Sequence, residues 1–132
     1  MGQPAAKQGD RIVATDTHIV MVPTAGGLVP TPLPHPFTGT ITGGLSSDVK
    51  VGGMPAATVD STADAVPPHV PTLPGTAFQN PPANQATIRT GSPTVNINGK
   101  PAARNGDTAA TCNDPADLPV GTVIAVGTVL IG

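Results

Sequence analysis

Three Pro-Ala-Ala steps divide this chain, and the residues downstream of them constrain the fold more than any other feature. The clearest is Pro101-Ala102-Ala103-Arg104-Asn105-Gly106-Asp107. Weaker copies are Pro4-Ala5-Ala6-Lys7-Gln8-Gly9-Asp10 and Pro55-Ala56-Ala57-Thr58-Val59-Asp60-Ser61. His18 lies 14 positions after Pro4, His69 lies 14 positions after Pro55, and Cys112 lies 11 positions after Pro101. A repeat is one structural unit that cannot bury its apolar face alone, so its copies must pack on one another.

A second internal match leads into the same steps. Residues 46–57 align without gaps on residues 92–103, a shift of 46. In both, apolar and polar residues alternate (Val49 and Val51; Val95 and Ile97), and a glycine precedes the proline step. This pattern predicts a short strand with one buried face, ending in a turn. Thr128-Val129-Leu130-Ile131-Gly132 resembles residues 94–99, and Met1-Gly2-Gln3-Pro4 would continue it if the chain were circular. The three-fold pattern therefore closes through the termini, which are predicted to be neighbours. With no useful helix-period stretch, the expected architecture is all-β: three short-stranded lobes around a pseudo-three-fold axis, in a single domain spanning residues 1–132.

Composition tells which kinds of fastening are open to such a fold. Gly and Pro number 16 and 17 of 132 residues, a share at which disorder becomes the default. Disordered chains, however, combine low hydropathy with high charge. Here the net charge is −2 and the mean hydropathy slightly positive. Aromatic residues are only 2% of the chain, so its core is poor in large side chains and calls for a disulfide, a metal or a partner. A single cysteine excludes an internal disulfide.

Lys7, Asp10 and Arg11 interrupt any secretory signal, and the apolar run from Val120 to Gly132 is too short and glycine-rich for a membrane span. The expectation is synthesis in the cytoplasm without a conventional export signal. The absence of basic clusters argues against nucleic acid as a partner.

Between the repeats, the β-branched residues Ile12, Val13, Ile19, Val20 and Val22 suggest short strands. Residues 23–38 carry so many prolines that they are expected to be extended or looped, and neither a helix nor a central strand. Residues 70–91 read as another Pro-, Gly- and Asn-rich connection, carrying Phe78.

The chain has three histidines and one cysteine. A pseudo-three-fold axis would gather His18, His69 and Cys112 at one apex, and His35, fixed between Pro34 and Pro36, would complete a tetrahedron. Nitrogen and thiolate donors in this number suit zinc, and four protein ligands leave no open position, which makes the metal structural. Asp10, Asp16, Asp60, Asp64 and Asp107 are available as general bases, but Asp10, Asp60 and Asp107 fall at the repeat turns. A zinc-dependent enzyme or metal carrier is the alternative reading, and a proline-rich adaptor is another.

The three Pro-Ala-Ala segments, with three histidines and a late cysteine, resemble the PAAR-repeat proteins over essentially the whole chain. Only the third copy spells the motif in full; Lys7 keeps the arginine's charge and Thr58 loses it. PAAR-repeat proteins form the sharp tip of contractile injection machines, including type VI secretion and extracellular phage-tail-like particles.

The resemblance implies a small cone of β-hairpins and loops, with one structural zinc near its vertex held by His18, His35, His69 and Cys112. It implies a broad base that caps a trimeric β-helical spike of the VgrG-like kind, one monomer per trimer. Val49–Val51, Val95–Ile97 and Val129–Ile131 are the expected base strands. It also implies a non-enzymatic role in puncturing the target envelope: transient contact with the target membrane, effectors travelling as separate partners, and location in the injection particle. An appended effector domain is not expected.

Overall fold

Proline has no N–H to give, but its carbonyl still needs a donor, which in each Pro-Ala-Ala step must come from another segment. A computed structural model describes residues 2–132 and shows where those carbonyls go. The strands are β1 (Gln3–Pro4), β2 (Arg11–Thr24), β3 (Gly27–Gly43), β4 (Lys50–Val51), β5 (Met54–Pro55) and β6 (Thr62–Ala65). They continue as β7 (Ala77–Phe78), β8 (Gln85–Ile88), β9 (Asn96–Ile97), β10 (Lys100–Pro101), β11 (Thr108–Thr111), β12 (Leu118–Ile124) and β13 (Leu130–Ile131). Among the described residues there is no helix, and the chain is all-β.

At one end lie three two-stranded antiparallel ribbons: β4 with β5, β9 with β10, and β1 with β13. The last joins the two ends of the chain, with Gln3 opposite Ile131. Each ribbon runs into a Pro-Ala-Ala step, and the three steps meet in a ring of backbone hydrogen bonds. Ala6 N–H donates to Ala103 C=O (2.9 Å), Ala103 N–H to Ala57 C=O (3.0 Å), and Ala57 N–H to Ala6 C=O (3.0 Å). The proline carbonyls complete it: Pro4 accepts from Asn105, Pro55 from Gln8 and Pro101 from Val59. The motif's alanines are explained by this ring. All six are almost fully buried, and a larger side chain near the axis would meet its two counterparts.

A tight turn ends each step. Gly9 (φ 91°), Asp60 (φ 78°) and Gly106 (φ 90°) hold the same left-handed conformation, which suits glycine. The next residue ties the turn back: Asp10 accepts from Lys7 N–H (3.0 Å) and Asp107 from Arg104 N–H (2.6 Å). In the second lobe Ser61 Oγ accepts from Thr58 N–H (3.0 Å) and donates to Gly44 C=O (2.8 Å).

Beyond the ring, three hairpins stand side by side: β2–β3, β6–β8 and β11–β12. Each also pairs with the next, β3 with β6, β8 with β11, and β12 with β2, which closes a six-stranded antiparallel barrel. Closure leaves no free edge within it. Ile12, Ile41, Ile88 and Val123 fill its interior without exposure, and Phe37 joins them. A smaller cluster under the ribbons joins Val51, Ile97 and Ile131 to Ala5, Ala56 and Ala102.

The structure revises three local expectations. The β-branched residues near His18 belong to one strand of 14 residues, not several short ones, because β3 pairs with β2 along its whole length. The proline-rich segment is largely strand β3. Pro30, Pro32, Pro34 and Pro36 recur at period two, so their missing donors share one edge, and β6 covers β3 only over Gly39–Gly43. The 70–91 connection contains β7, which borders β2, and β8, a member of the barrel.

Candidate metal centre

The hairpins converge on a cluster of polar side chains where the barrel ends. Asp16 and His18 stand two residues apart on β2 and so project from the same face. His35 faces Asp16 across the β2–β3 ladder. His69 follows β6 on a loop anchored where its N–H donates to Asn84 Oδ1 (2.9 Å). Cys112 comes directly after β11. The three imidazoles are in mutual contact, with ring centroids 5.3 Å apart for His18–His35, 5.0 Å for His18–His69 and 5.7 Å for His35–His69. Phe78 on β7 closes over His18 and His35, and Phe37 packs on His69.

Asp16, His18, His69 and Cys112 each offer a donor atom, and these atoms lie within 4.8 Å of one another. His69 Nε2 is 2.9 Å from Asp16 Oδ2, and Cys112 Sγ is 3.5 Å from the same oxygen. His35 is beside this group with both ring nitrogens engaged: Nδ1 lies 2.9 Å from Leu33 C=O, and Nε2 accepts from Thr72 N–H (3.1 Å). That pairing fixes its tautomer, with the proton on Nδ1 and the electron pair on Nε2.

His18 is different. Among the described residues, its two ring nitrogens are the buried side-chain nitrogen or oxygen atoms that have no hydrogen-bond partner. Nδ1 is 3.5 Å from Asp114 Oδ2, too far for a good hydrogen bond, and that oxygen already accepts from Ile19 N–H (2.8 Å). A buried imidazole left without a partner is costly, and a metal ion is the partner this donor set fits.

Electrostatics favour a neutral His35 and a protonated Cys112 thiol in the free chain. Burial holds the His35 pKa below its ordinary value, against the opposing pull of the Leu33 carbonyl, and the neighbouring His18 and His69 lower it further. Burial, then the Asp16 carboxylate, push the Cys112 thiol up to about 11. A metal ion reverses the second effect, since it binds the thiolate. Two imidazoles, a thiolate and a carboxylate form a cluster that can bind a metal ion and is compatible with zinc.

The structure thus gathers His18, His69 and Cys112 as the repeat spacing suggests, and sets His35 against the two histidines. Sequence reasoning weighed Asp16 only as a general base and missed its place here. The legible signal was Asp16-x-His18 on a β-branched run, where period two puts both on one face.

No curated protein matches this sequence significantly. The PAAR motif matches residues 34–116 and again residues 78–132, together spanning the second and third Pro-Ala-Ala steps, His35, His69 and Cys112. With that match extending over more than half of an all-β chain whose ring is built from the motif's own residues, the chain belongs to the PAAR-motif family.

Proposed function

We propose that this chain is the tip of the central spike of a contractile injection system, seated by its ribbon end on a trimeric VgrG-like spike protein. The family is one of structural spike tips. The observation that carries the reading is the closed ring at Ala6, Ala57 and Ala103, which gives one chain three nearly equal lobes. A monomer with this symmetry can cap a true trimer and cover its terminal strand edges. The ribbons offer an apolar surface in three-fold register: Val49, Val95 and Val129 are 37, 36 and 43% exposed. Each stands two residues before Val51, Ile97 or Ile131, which are 7% exposed.

At the opposite end, His18, His35, His69 and Cys112 are the proposed ligands of one structural zinc. Ligation by His35 requires its Nε2 to exchange the Thr72 N–H for the metal. Zinc supplies no reaction in this role; it links the three hairpins with bonds that do not slide under load. His18 and His35 hold the first hairpin, His69 the second and Cys112 the third. The aromatic cover of Phe37 and Phe78 keeps water from the donors. Four protein ligands leave no position for substrate, so the role is mechanical: a rigid point that meets the target envelope when the spike is driven forward. Separate effectors and location in the injection particle belong to the same proposal.

The test is binding to the trimeric spike protein by calorimetry. One chain per trimer is expected, with binding abolished by Val49→Asp, Val95→Asp and Val129→Asp together. Three chains per trimer, or binding that ignores the triple variant, would exclude this docking mode.

A further inference from the structure

We infer that Asp16 is the positioning and charge-balancing carboxylate of the metal centre, an element outside the three histidines and one cysteine. The inference rests on reading those four residues as metal ligands. Asp16 is fully buried, yet among the described residues no Lys or Arg pairs with it; its one ion-pair partner is His69. Its other neighbours are neutral donors, namely the Thr111 hydroxyl, Asn113 Nδ2 (3.5 Å) and the Cys112 thiol. A buried carboxylate without a full countercharge is costly. A zinc dication with one thiolate and three neutral imidazoles leaves a single positive charge, and Asp16 brings that buried centre to zero.

The two oxygens have separate duties. Oδ1 accepts from Thr111 Oγ1, with Asn113 Nδ2 alongside, and these residues flank Cys112 in the chain. The carboxylate is thereby fixed relative to the thiol. Oδ2 lies 2.9 Å from His69 Nε2, and a hydrogen bond there sets the ring's tautomer and leaves Nδ1 with the electron pair. One side chain therefore joins the first lobe (β2), the second (His69) and the third (Thr111–Asn113) near the axis. Asn113 extends the same tie, since its Oδ1 accepts from Thr17 N–H (2.6 Å), next to Asp16 in β2.

The experiment is Asp16→Asn, which keeps the shape and removes the charge. Zinc affinity is measured by competition with a chelator, and the site is read separately from the absorption spectrum of the cobalt-substituted protein. The expected result is affinity lower by roughly 10–100-fold, the usual cost of losing an outer-shell partner. The thiolate-to-cobalt charge-transfer band should persist while the ligand-field bands shift. A folded variant with unchanged zinc affinity and an unchanged cobalt spectrum would overturn the inference.

Should Asp16→Asn not fold, the Asp16 carboxyl carbon resonance of the unaltered chain decides: it should move on zinc uptake, and a stationary resonance would refute the role. If the unaltered chain takes up neither zinc nor cobalt, the metal reading itself fails and Asp16 falls with it. A normal uptake that ignores Asp16→Asn removes this inference alone.

Discussion

At the ribbon end, three lobes repeat the same hydrogen bonds and burial; at the hairpin end they do not. Ala6, Ala57 and Ala103 exchange hydrogen bonds of 2.9–3.0 Å around a ring, and Val51, Ile97 and Ile131 share one burial. The hairpins above them are unequal: β2 runs 14 residues, while β6 and β11 run four each. A closed backbone ring is satisfied by three identical contributions. A four-ligand centre on a three-fold axis is not, because three equal lobes supply three ligands or six. In the proposed centre, the extended first hairpin would resolve this by carrying two histidines, His18 on β2 and His35 on β3, where the other lobes would bring one ligand each.

The largest effect expected from this contrast comes from removal of the proposed zinc, by chelation or by Cys112→Ser. Structural zinc contributes roughly 10–16 kcal/mol to the folding of zinc-finger peptides. Here a hydrogen-bonded frame remains, so the expectation is a fall in Tm of roughly 10 °C or more, at about 4 °C per kcal/mol for a domain of this size. Hydrogen exchange should separate the two ends. The amides of Thr17, Ile19 and Asp114, which tie the hairpin end together, should lose protection, while Ala6, Ala57 and Ala103 keep theirs. Equal loss at both ends would mean that the ring does not stand without the apex.

Zinc uptake also carries a proton signature. With the thiol at about 11 in the free chain and His35 held below its ordinary value, binding at neutral pH displaces a proton from Cys112 and none from His35. Calorimetry in buffers of different ionisation enthalpy should show the Cys112 proton released as zinc binds. Metal-free, the sign is opposite. A thiol raised from 9.0 to about 11 contributes stability below pH 9 that is lost as pH rises through the folded value.

The next effect in size tests the ring. Ala6→Val, Ala57→Val and Ala103→Val each add methyl groups where the native side chain is at most 1% exposed. Overpacking of this kind costs about 1–3 kcal/mol. Thermal melts of the three variants should agree closely if the lobes are equivalent. One variant milder than the rest by more than about 1 kcal/mol would show the ring to be slack on that side, beyond the spread seen for independent sites.

The ribbon end was legible because a repeat announces itself in one dimension. The Pro-Ala-Ala steps, the Val–x–Val and Val–x–Ile alternation, and closure through the termini all emerge from matching letters at fixed shifts. The hairpins were less so, for physical reasons. Gln85-Ala86-Thr87-Ile88 is a barrel strand with only four residues and one large apolar side chain, and its strand character comes from the neighbours that pair with it on both sides. The prolines of β3 look like a loop until their period of two is set against a free edge. His18, His35, His69 and Cys112 could be singled out by scarcity and offset. Asp16 was harder to single out among eight carboxylates, because its only mark in the sequence is its place two residues before His18 on a β-branched run.

The smallest effect concerns a place where the ribbon end departs from its own symmetry. Asp60 stands at φ 78°, where the other lobes have Gly9 and Gly106. The backbone is otherwise the same: Asp60 N–H donates to Ile88 C=O (2.9 Å), as Gly9 does to Ile41 (3.0 Å) and Gly106 to Val123 (2.8 Å). A left-handed conformation costs a residue with a Cβ roughly 1–2 kcal/mol, with aspartate among the more tolerant. Against that, glycine's freer unfolded chain costs about 0.5–1 kcal/mol. The substitution also gives up an ion pair to Lys100 at 3.5 Å, half exposed on both sides and worth little. Asp60→Gly should therefore raise Tm slightly, by about 1–4 °C. The reverse changes, Gly9→Asp and Gly106→Asp, should lower it by a similar amount. A Cβ at either glycine would meet nothing within 4 Å, so only the backbone angle opposes it. If Asp60→Gly instead lowers Tm while the reverse changes also destabilise, the Lys100 pair outweighs the backbone cost, and the second lobe has compensated for its missing glycine rather than merely tolerated the loss.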